Sequence, residues 1–237
     1  MCNYLQYIIV VSFVFIFSLP TQAAVQPGAQ QLTASIDQLQ ATYQHLHSLQ
    51  FDFAQVTDSG GRIKEGCGSA AFYRSGPSGS ANKGVMRWDY NEPSPQVILN
   101  NGRELSIYTP QDKQLIITPI QDLDSDITFA LFTGSKKLAE EFTPSGPDPV
   151  FYINNPPADM QAIQLTPREP HPQIKRIQIW LDKQHTLHRL LMEDHFGALT
   201  ELDFTNIQLN VLPAKDPKQE QLLLKLDLAP GTEIIRQ

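Results

Sequence analysis

The hydrophobic residues change their spacing near residue 49, from a helical period to a strand period. Between residues 32 and 46 they recur every three or four positions, which predicts an amphipathic helix. These positions are Leu32, Ile36, Leu39, Tyr43 and Leu46. Thr33 and Ser35 are both candidates to cap the start of this helix. From Leu49 onward apolar and polar residues alternate, which is typical of a half-buried strand.

Alternation continues in short segments along most of the chain, so about a dozen strands are predicted. They are 49–54, 69–74, 85–90, 96–99, 105–108, 114–118, 150–153, 162–166, 174–181, 187–194, 199–209 and 222–226. Short polar turns at 100–102, 109–113, 182–185 and 195–197 favour antiparallel neighbours. Helical spacing returns between residues 120 and 143. The predicted fold class is therefore α+β and mainly β, an antiparallel sheet preceded by one helix and interrupted by another.

Residues 1–24 contain no Asp, Glu, Lys or Arg and include an apolar run from Ile8 to Leu19. Small residues follow the run, so we predict a secretory signal that is cleaved after Ala23 or Ala24. An uncleaved anchor is the alternative, because the residues before the run lack the usual Lys or Arg. A dozen apolar residues is, however, short for a membrane span. Cleavage would leave residues 25–237 as a single domain.

Charge and cysteine content narrow the possible functions. The chain has 25 acidic and 18 basic residues and a net charge of -7, a balance that repels phosphate backbones and disfavours nucleic acid as a partner. Its 41% hydrophobic residues are enough for one sizeable core or two small ones, which excludes a disordered tail and a multi-pass membrane protein. Loss of the signal would remove Cys2 and leave Cys67 without an intramolecular disulfide partner.

Three segments resemble reactive sites without matching them. His185 and His188 lie near acidic residues, but their spacing is that of a hairpin with polar residues near its turn rather than of a metal site. The segment 122–126 begins like a calcium loop and lacks the Gly and Glu that such a loop needs. The segment 76–80 has a misplaced second Gly for a nucleophile elbow. We therefore expect no catalytic residue, no metal site and no cofactor.

A band of large apolar residues is the most prominent remaining feature. It includes Phe51, Phe53, Phe72, Met86, Trp88, Tyr90, Ile107, Phe129, Phe132, Phe151, Trp180 and Met192. Composition alone favours an ordinary core. A long sheet with only two helices to cover it could equally close around a cavity, with the band as its lining.

Several segments in this order resemble the LolA family of periplasmic lipoprotein carriers. They are Phe53-Ala54-Gln55, Gly68-Ser69-Ala70-Ala71-Phe72-Tyr73-Arg74, Met86-Arg87-Trp88-Asp89-Tyr90 with Pro93, Asn101-Gly102 with Ile107-Tyr108, Gln114, and Leu226-Asp227-Leu228-Ala229-Pro230-Gly231. Each motif is weak alone. Together they span nearly the whole chain after the signal, and the Trp-x-Tyr segment followed by Asn-Gly and Ile-Tyr makes the resemblance specific.

The resemblance implies an incomplete antiparallel β-barrel of about 11–12 strands, curled around an apolar cavity with helices as a lid. It implies a monomeric, non-enzymatic carrier in the periplasm. Such a carrier takes acylated lipoproteins from an inner-membrane ABC transporter and delivers them to an outer-membrane receptor. The expected lipid-lining residues are Phe51, Phe53, Phe72, Met86, Trp88, Tyr90, Ile107, Phe129, Phe132 and Trp180.

The family's functional arginine corresponds to Arg74, which would bind lid carbonyls until lipid displaces the lid. Arginine suits this role because its five donors stay charged and can serve several carbonyls. The sequence departs from the family directly after it, where the loop 75–84 replaces a shorter link that usually begins with proline. This loop makes Arg87 the second candidate. A surface arginine is the alternative interpretation of Arg74.

Two other functions stay open at this point. A regulatory or scaffold protein could use the same lipid-binding half-barrel to bind a protein partner without carrying lipid. A hydrolase is the third possibility, although no Ser–His pair or metal site supports it.

Overall fold

A computed structural model describes residues 28–76, 84–119, 131–132 and 137–237. The helices are α1 (Ala29–Gln44), α2 (Leu138–Glu141) and α3 (Pro217–Leu224). The first six strands are β1 (Ser48–Asp58), β2 (Ile63–Tyr73), β3 (Val85–Glu92), β4 (Gln96–Asn100), β5 (Glu104–Thr109) and β6 (Gln114–Pro119). The others are β7 (Phe142–Ser145), β8 (Gln161–Pro167), β9 (Arg176–Leu181), β10 (Leu187–Glu193), β11 (Leu199–Leu209) and β12 (Glu233–Arg236).

All twelve strands form one sheet in the order β12-β6-β5-β4-β3-β2-β1-β11-β10-β9-β8-β7. The sheet stays open, with β12 and β7 at its two ends, so it is an incomplete barrel. Neighbouring strands run antiparallel except β12, which pairs with β6 in parallel. The predicted mainly β fold is confirmed. The prediction of a fully antiparallel sheet is wrong for β12, because a long C-terminal connection rather than a hairpin brings this strand beside β6.

Helix α1 covers one face of the sheet, which we call the inner face. Its apolar stripe is buried there and consists of Leu32, Ile36, Leu39 and Tyr43. The helix begins earlier than predicted, after Gly28, and the expected caps lie inside it. Thr33 Oγ1 donates to Ala29 O and Ser35 Oγ to Gln31 O, so both hydroxyls bond back into the first turns. Among the described residues, no helix is both long and apolar enough to cross a membrane.

The predicted hairpin turns at 100–102, 109–113, 182–185 and 195–197 connect consecutive strands, as expected. Two predicted strands are wrong. Residues 150–153 are irregular, because buried side chains bind their backbone in place of a neighbouring strand: Glu201 accepts from Ile153 N, and Gln178 Nε2 donates to Phe151 O. Residues 222–226 fall in and just after α3, whose start is capped by Asp216.

Some sequence predictions lie outside the described residues. They include the signal segment 1–24, the calcium-like segment 122–126, residues 77–83 of the long loop, and most of the predicted helix 120–143. Of that helix, Leu131 and Phe132 are described as helical, and α2 occupies part of its end.

The other face of the sheet, the outer face, is covered by two irregular segments. Residues 146–160 lie over β9 and β10, where Arg189 donates to the carbonyls of Asn154 and Asn155. Arg189 also forms a two-point ion pair with Asp203. Residues 210–232, which we call the C-terminal segment, cross the outer face and include α3. Helix α3 has no fully buried residue, so it adds little apolar packing.

Strand β2 carries small residues on the inner face, and this lets aromatic rings from its two neighbours meet above it. Gly68 lies between Phe53 of β1 and Tyr90 of β3 in register. The rings of Phe53 and Tyr90 are 4.7 Å apart, edge to face. Gly68 also sits at an irregularity in the β2–β3 register. A Cβ there would overlap the carbonyl oxygen of Asp89 and lie 2.9 Å from Tyr90 Cα.

Gly68→Ala should therefore destabilise the fold, since both contacts are with backbone that cannot rotate away. We expect the free energy of unfolding to fall by at least about 2 kcal/mol, measured by urea denaturation. Gly28→Ala is the control because a Cβ at Gly28 meets nothing within 4 Å. It should change stability by less than about 1 kcal/mol. Equal stability of the two variants would contradict the close approach of β2 and β3.

Candidate functional site

An apolar row crosses the inner face from the centre of the sheet towards β6. In register, Phe51 lies beside Ala70, then Trp88, Ile98, Ile107 and Ile116. Paired residues of adjacent strands share a face, so these side chains form one continuous surface. Near β1 the row is buried, whereas Ile98, Ile107 and Ile116 are partly exposed.

Aromatic rings fill the centre of this surface. The Phe51 ring is 5.4 Å from the ring of Trp88 and 5.1 Å from that of Phe204, edge to face in both pairs. Phe53 lies 4.9 Å from Trp88 in the same orientation. Such edge-to-face pairs add to the stability gained from burial alone.

Phe132 covers this aromatic centre from the opposite side. Its ring centroid is 5.1 Å from Phe51, 5.5 Å from Phe204 and 6.4 Å from Trp88. It also contacts Tyr43 of α1, at 5.6 Å. Phe132 is thus buried between α1 and the sheet.

The structure brings most of the predicted lining residues together. Phe51, Phe53, Phe72, Met86, Trp88 and Phe132 are buried in one cluster with α1, and Tyr90 packs against it. Ile107 lies on the same face within the apolar row. Phe129 lies outside the described residues.

Trp180 is the exception, and its prediction as a lining residue is wrong. It pairs with Ala162 and Arg189 on the outer face, where it packs with Phe151 and Leu191 under residues 146–160. The alternation of β9 marks this position as outward, because Trp180 shares its face with Arg176 and Gln178, whereas Ile177, Ile179 and Leu181 enter the inner core. Trp180 was predicted from its place in the band of large apolar residues, without regard to this alternation.

Arg74 stands at the end of β2 and binds the end of α1. It is only 4% exposed, and its Nη2 donates to Gln44 O at 2.7 Å and to Leu46 O at 2.6 Å. Its guanidinium also lies 5.5 Å from the ring centroid of Phe72. Burial lowers the pKa of Arg74 from its ordinary value. Arg74 therefore ties the carbonyls that end α1 to the sheet.

Arg87 does not fit the role of second candidate. Met86 and Trp88 face inward, so strand alternation turns Arg87 to the outer face. There it pairs with both oxygens of Asp89 and donates to the carbonyls of Leu223 and Lys225 in the C-terminal segment.

Helix α1 is also held by polar groups whose roles the sequence patterns did not reveal. Gln40 of α1 accepts a hydrogen bond from Leu138 N, and the Tyr43 hydroxyl accepts one from Leu187 N. Burial raises the pKa of Tyr43 well above its ordinary value. Tyr43 was predicted only as a member of the apolar stripe. The helical spacing carried no sign that its hydroxyl would be needed by the backbone of β10.

At the end of the sheet away from Arg74, the inner face becomes polar. A cleft of about 270 Å³ is lined there by Gln55, Thr57, Tyr90 and Gln96, among others. The Tyr90 hydroxyl donates to Gln55 Oε1 at 2.7 Å. Within the described ranges, no three His, Cys, Asp or Glu side chains are grouped so that they could hold a metal ion.

Comparison with known proteins places this arrangement in a family. Residues 44–217 match the family described as outer membrane lipoprotein carrier protein LolA. The chain belongs to the LolA family. The matched region contains β1–β11, and with them Arg74 and the aromatic centre of the inner face.

Two relatives of the LolA family show how far the similarity extends. An outer-membrane lipoprotein carrier protein of Cupriavidus pinatubonensis is 27% identical over 93% of this chain and 95% of its own length. One from Cupriavidus taiwanensis is 29% identical over 86% and 89%. A solved structure of an uncharacterized conserved protein from Thermus thermophilus covers 86% of this chain and 98% of its own, with a TM-score of 0.50 and 10% identity. That last likeness concerns the fold alone.

Phe132→Ala should open a cavity in the aromatic centre of this LolA-family protein. We expect a loss of about 3–5 kcal/mol of unfolding free energy, which benzene should partly restore by filling the cavity. Urea denaturation with and without benzene measures both effects. Phe196→Ala is the matched control, because Phe196 is 97% exposed. If the two variants lose equal stability, Phe132 does not pack as described.

Proposed function

We propose that this protein carries the acyl chains of lipoproteins, which bind between the inner face of the sheet and its lid. The observation that carries the proposal is Arg74, a buried charge that holds the end of α1 over an aromatic surface. A charged latch on an otherwise apolar core suits a cover that must open for a ligand and close again. The names of the relatives as lipoprotein carriers support this assignment.

The apolar row supplies the binding energy. Burying an acyl chain contributes roughly 0.8 kcal/mol per methylene group. Ile98, Ile107 and Ile116 extend the aromatic centre as a partly exposed aliphatic track, along which a straight chain can lie. Phe132 and α1 cover the buried part of the row, so the acyl chain must displace them to reach Trp88 and Phe51.

Opening the lid lowers the net affinity for cargo. Each hydrogen bond from Arg74 to a carbonyl contributes about 1.5–3 kcal/mol to the closed state. Part of the free energy of acyl burial therefore goes into breaking these bonds, which form again when cargo leaves. A carrier needs this balance, since full enclosure of several chains without such a cost would hold the cargo too tightly for transfer.

The route of transport follows from the same proposal. The apolar segment 1–24 would direct the chain to the periplasm, where the remaining Cys67 needs no partner. The protein would accept lipoproteins from an inner-membrane ABC transporter and pass them to an outer-membrane receptor, as its resemblance to the family implies. It would act as a monomer and carry out no enzymatic step.

Arg74→Leu should hold acyl cargo more tightly and release it more slowly, because opening then breaks fewer bonds. Arg74→Leu removes both bonds, and the loss of even one, at about 1.5 kcal/mol, corresponds to about tenfold in affinity. The assay loads the purified chain with a fluorescent triacylated lipopeptide and follows its transfer to acceptor vesicles. Arg87→Leu is the matched control, since it removes two arginine–carbonyl bonds on the outer face.

Transfer at the same rate from Arg74→Leu and the unaltered chain would contradict the latch. Urea denaturation of each variant shows whether the fold persists, and Arg74→Lys, which keeps the charge without the planar set of donors, should be intermediate.

Depletion of the protein in its own cell tests the transport role itself. We expect lipoproteins bound for the outer membrane to accumulate at the inner membrane, where membrane fractionation would detect them. Unchanged sorting, combined with a stable complex between this chain and another protein, would instead favour the regulatory or scaffold function.

A further inference from the structure

The end of β2 is bound on both sides, by the lid on the inner face and by the C-terminal segment on the outer face. Tyr73 and Arg74 are consecutive, so they point to opposite faces. Arg74 binds the carbonyls of Gln44 and Leu46 at the end of α1. Tyr73 binds the beginning of the C-terminal segment.

The Tyr73 hydroxyl holds that segment by acting as both a hydrogen-bond donor and an acceptor. The hydroxyl donates to Pro213 O at 2.7 Å and accepts from Asp216 N at 2.7 Å. The whole residue is buried, with 0% of its surface exposed. A buried hydroxyl with a donor and an acceptor bond at normal length fixes the position of the backbone that it joins.

His47 joins the lid to the same part of the C-terminal segment. Its backbone N–H donates to Asn210 Oδ1 at 2.9 Å, and its ring Nε2 lies 2.8 Å from Leu212 O. Its carbonyl accepts from Arg74 N at 2.8 Å. His47 follows Leu46 directly, so the residue that Arg74 binds and the residue that the C-terminal segment binds are neighbours.

Further along, the C-terminal segment has anchors that are remote from the lid. Arg87 binds Leu223 and Lys225, and the Tyr108 hydroxyl accepts from Ala229 N at 3.0 Å. No residue of α3 is fully buried, but Leu226 beyond it packs against Tyr108, Leu115 and Ile117, so apolar packing also holds this part of the segment. Glu220 of α3 binds Ser75, the residue after Arg74. Residues 210–216 are the part that binds His47, directly after the Leu46 whose carbonyl Arg74 binds.

We propose that residues 210–216 form the outer half of the lid latch and that Tyr73 is its positioning residue. Tyr73 and His47 fix these residues against the end of β2, and this holds the carbonyls of Gln44 and Leu46 in reach of Arg74. The inference rests on the proposed function only in that opening of the latch admits lipid. The coupling between residues 210–216 and the end of α1 exists in the lipid-free protein, so it can be measured without lipid.

Amide hydrogen exchange on the lipid-free chain provides the test. Tyr73→Phe removes the hydroxyl and keeps the ring. We expect amides at and just after the end of α1, at Tyr43, Gln44 and Leu46, to exchange about tenfold faster than in the unaltered chain. Tyr108→Phe is the matched control, because it removes a buried hydroxyl bond to the same segment far from the lid. It should leave the exchange of these three amides unchanged.

A double variant separates positioning from general stability. If Tyr73 acts through the latch, Tyr73→Phe should raise the affinity for a triacylated lipopeptide several-fold in the unaltered chain and have no effect in an Arg74→Leu background. Additive effects would show that Tyr73 acts independently of Arg74 and would overturn the proposal. Unchanged exchange at the end of α1 would overturn it as well.

His47→Ala provides a second route if Tyr73→Phe does not fold. It removes the ring contact with Leu212 O and should speed exchange at the same amides, and the proposal fails if it does not. Should no chain bind the lipopeptide while exchange responds as expected, the coupling stands and the proposed lipid carriage fails.

Discussion

The close approach of β1 and β3 across β2 is the constraint on which the inner face depends. Gly68 and Ala70 place almost no side-chain volume between these strands, so Phe53 meets Tyr90 and Phe51 meets Trp88 directly. The result is a rigid aromatic surface, because each ring is fixed by rings from another strand. A larger residue in β2 would separate the rings and replace a continuous surface by isolated side chains.

This surface also explains why α1 needs hydrogen bonds as well as apolar packing. Phe132 and the apolar stripe of α1 bury themselves against the same rings that an acyl chain would cover. Apolar burial is not directional, so it does not by itself distinguish one cover from another. Arg74, Gln40 and Tyr43 add directional hydrogen bonds that fix the helix in one position on this surface.

Much of this could be predicted from the sequence because its signals are local. Alternation and turn residues identified most strands, and the family motif led to Arg74. The missing parts depend on contacts between distant residues. Trp180 shares its face with Arg176 and Gln178 and is buried there against Phe151, which lies about 30 residues away in the sequence. Tyr73 differs from a core tyrosine only by a partner 140 residues further along. The run 150–153 has the sequence pattern of a strand but is irregular, because buried Glu201 and Gln178 bind its backbone.

The position of the latch at the end of β2 follows from the geometry of strands. Successive side chains of a strand face opposite sides, so two neighbouring residues can join a lid and an outer segment with no intervening element. Tyr73 and Arg74 use this property at the end of the strand, where Arg74 N donates to the carbonyl of His47 in the link between α1 and β1. Tyr73 on the outer face is next in sequence to Arg74, whose side chain binds the end of α1. Tyr108 also binds the C-terminal segment through its hydroxyl, but it lies in β5, three strands away from β2.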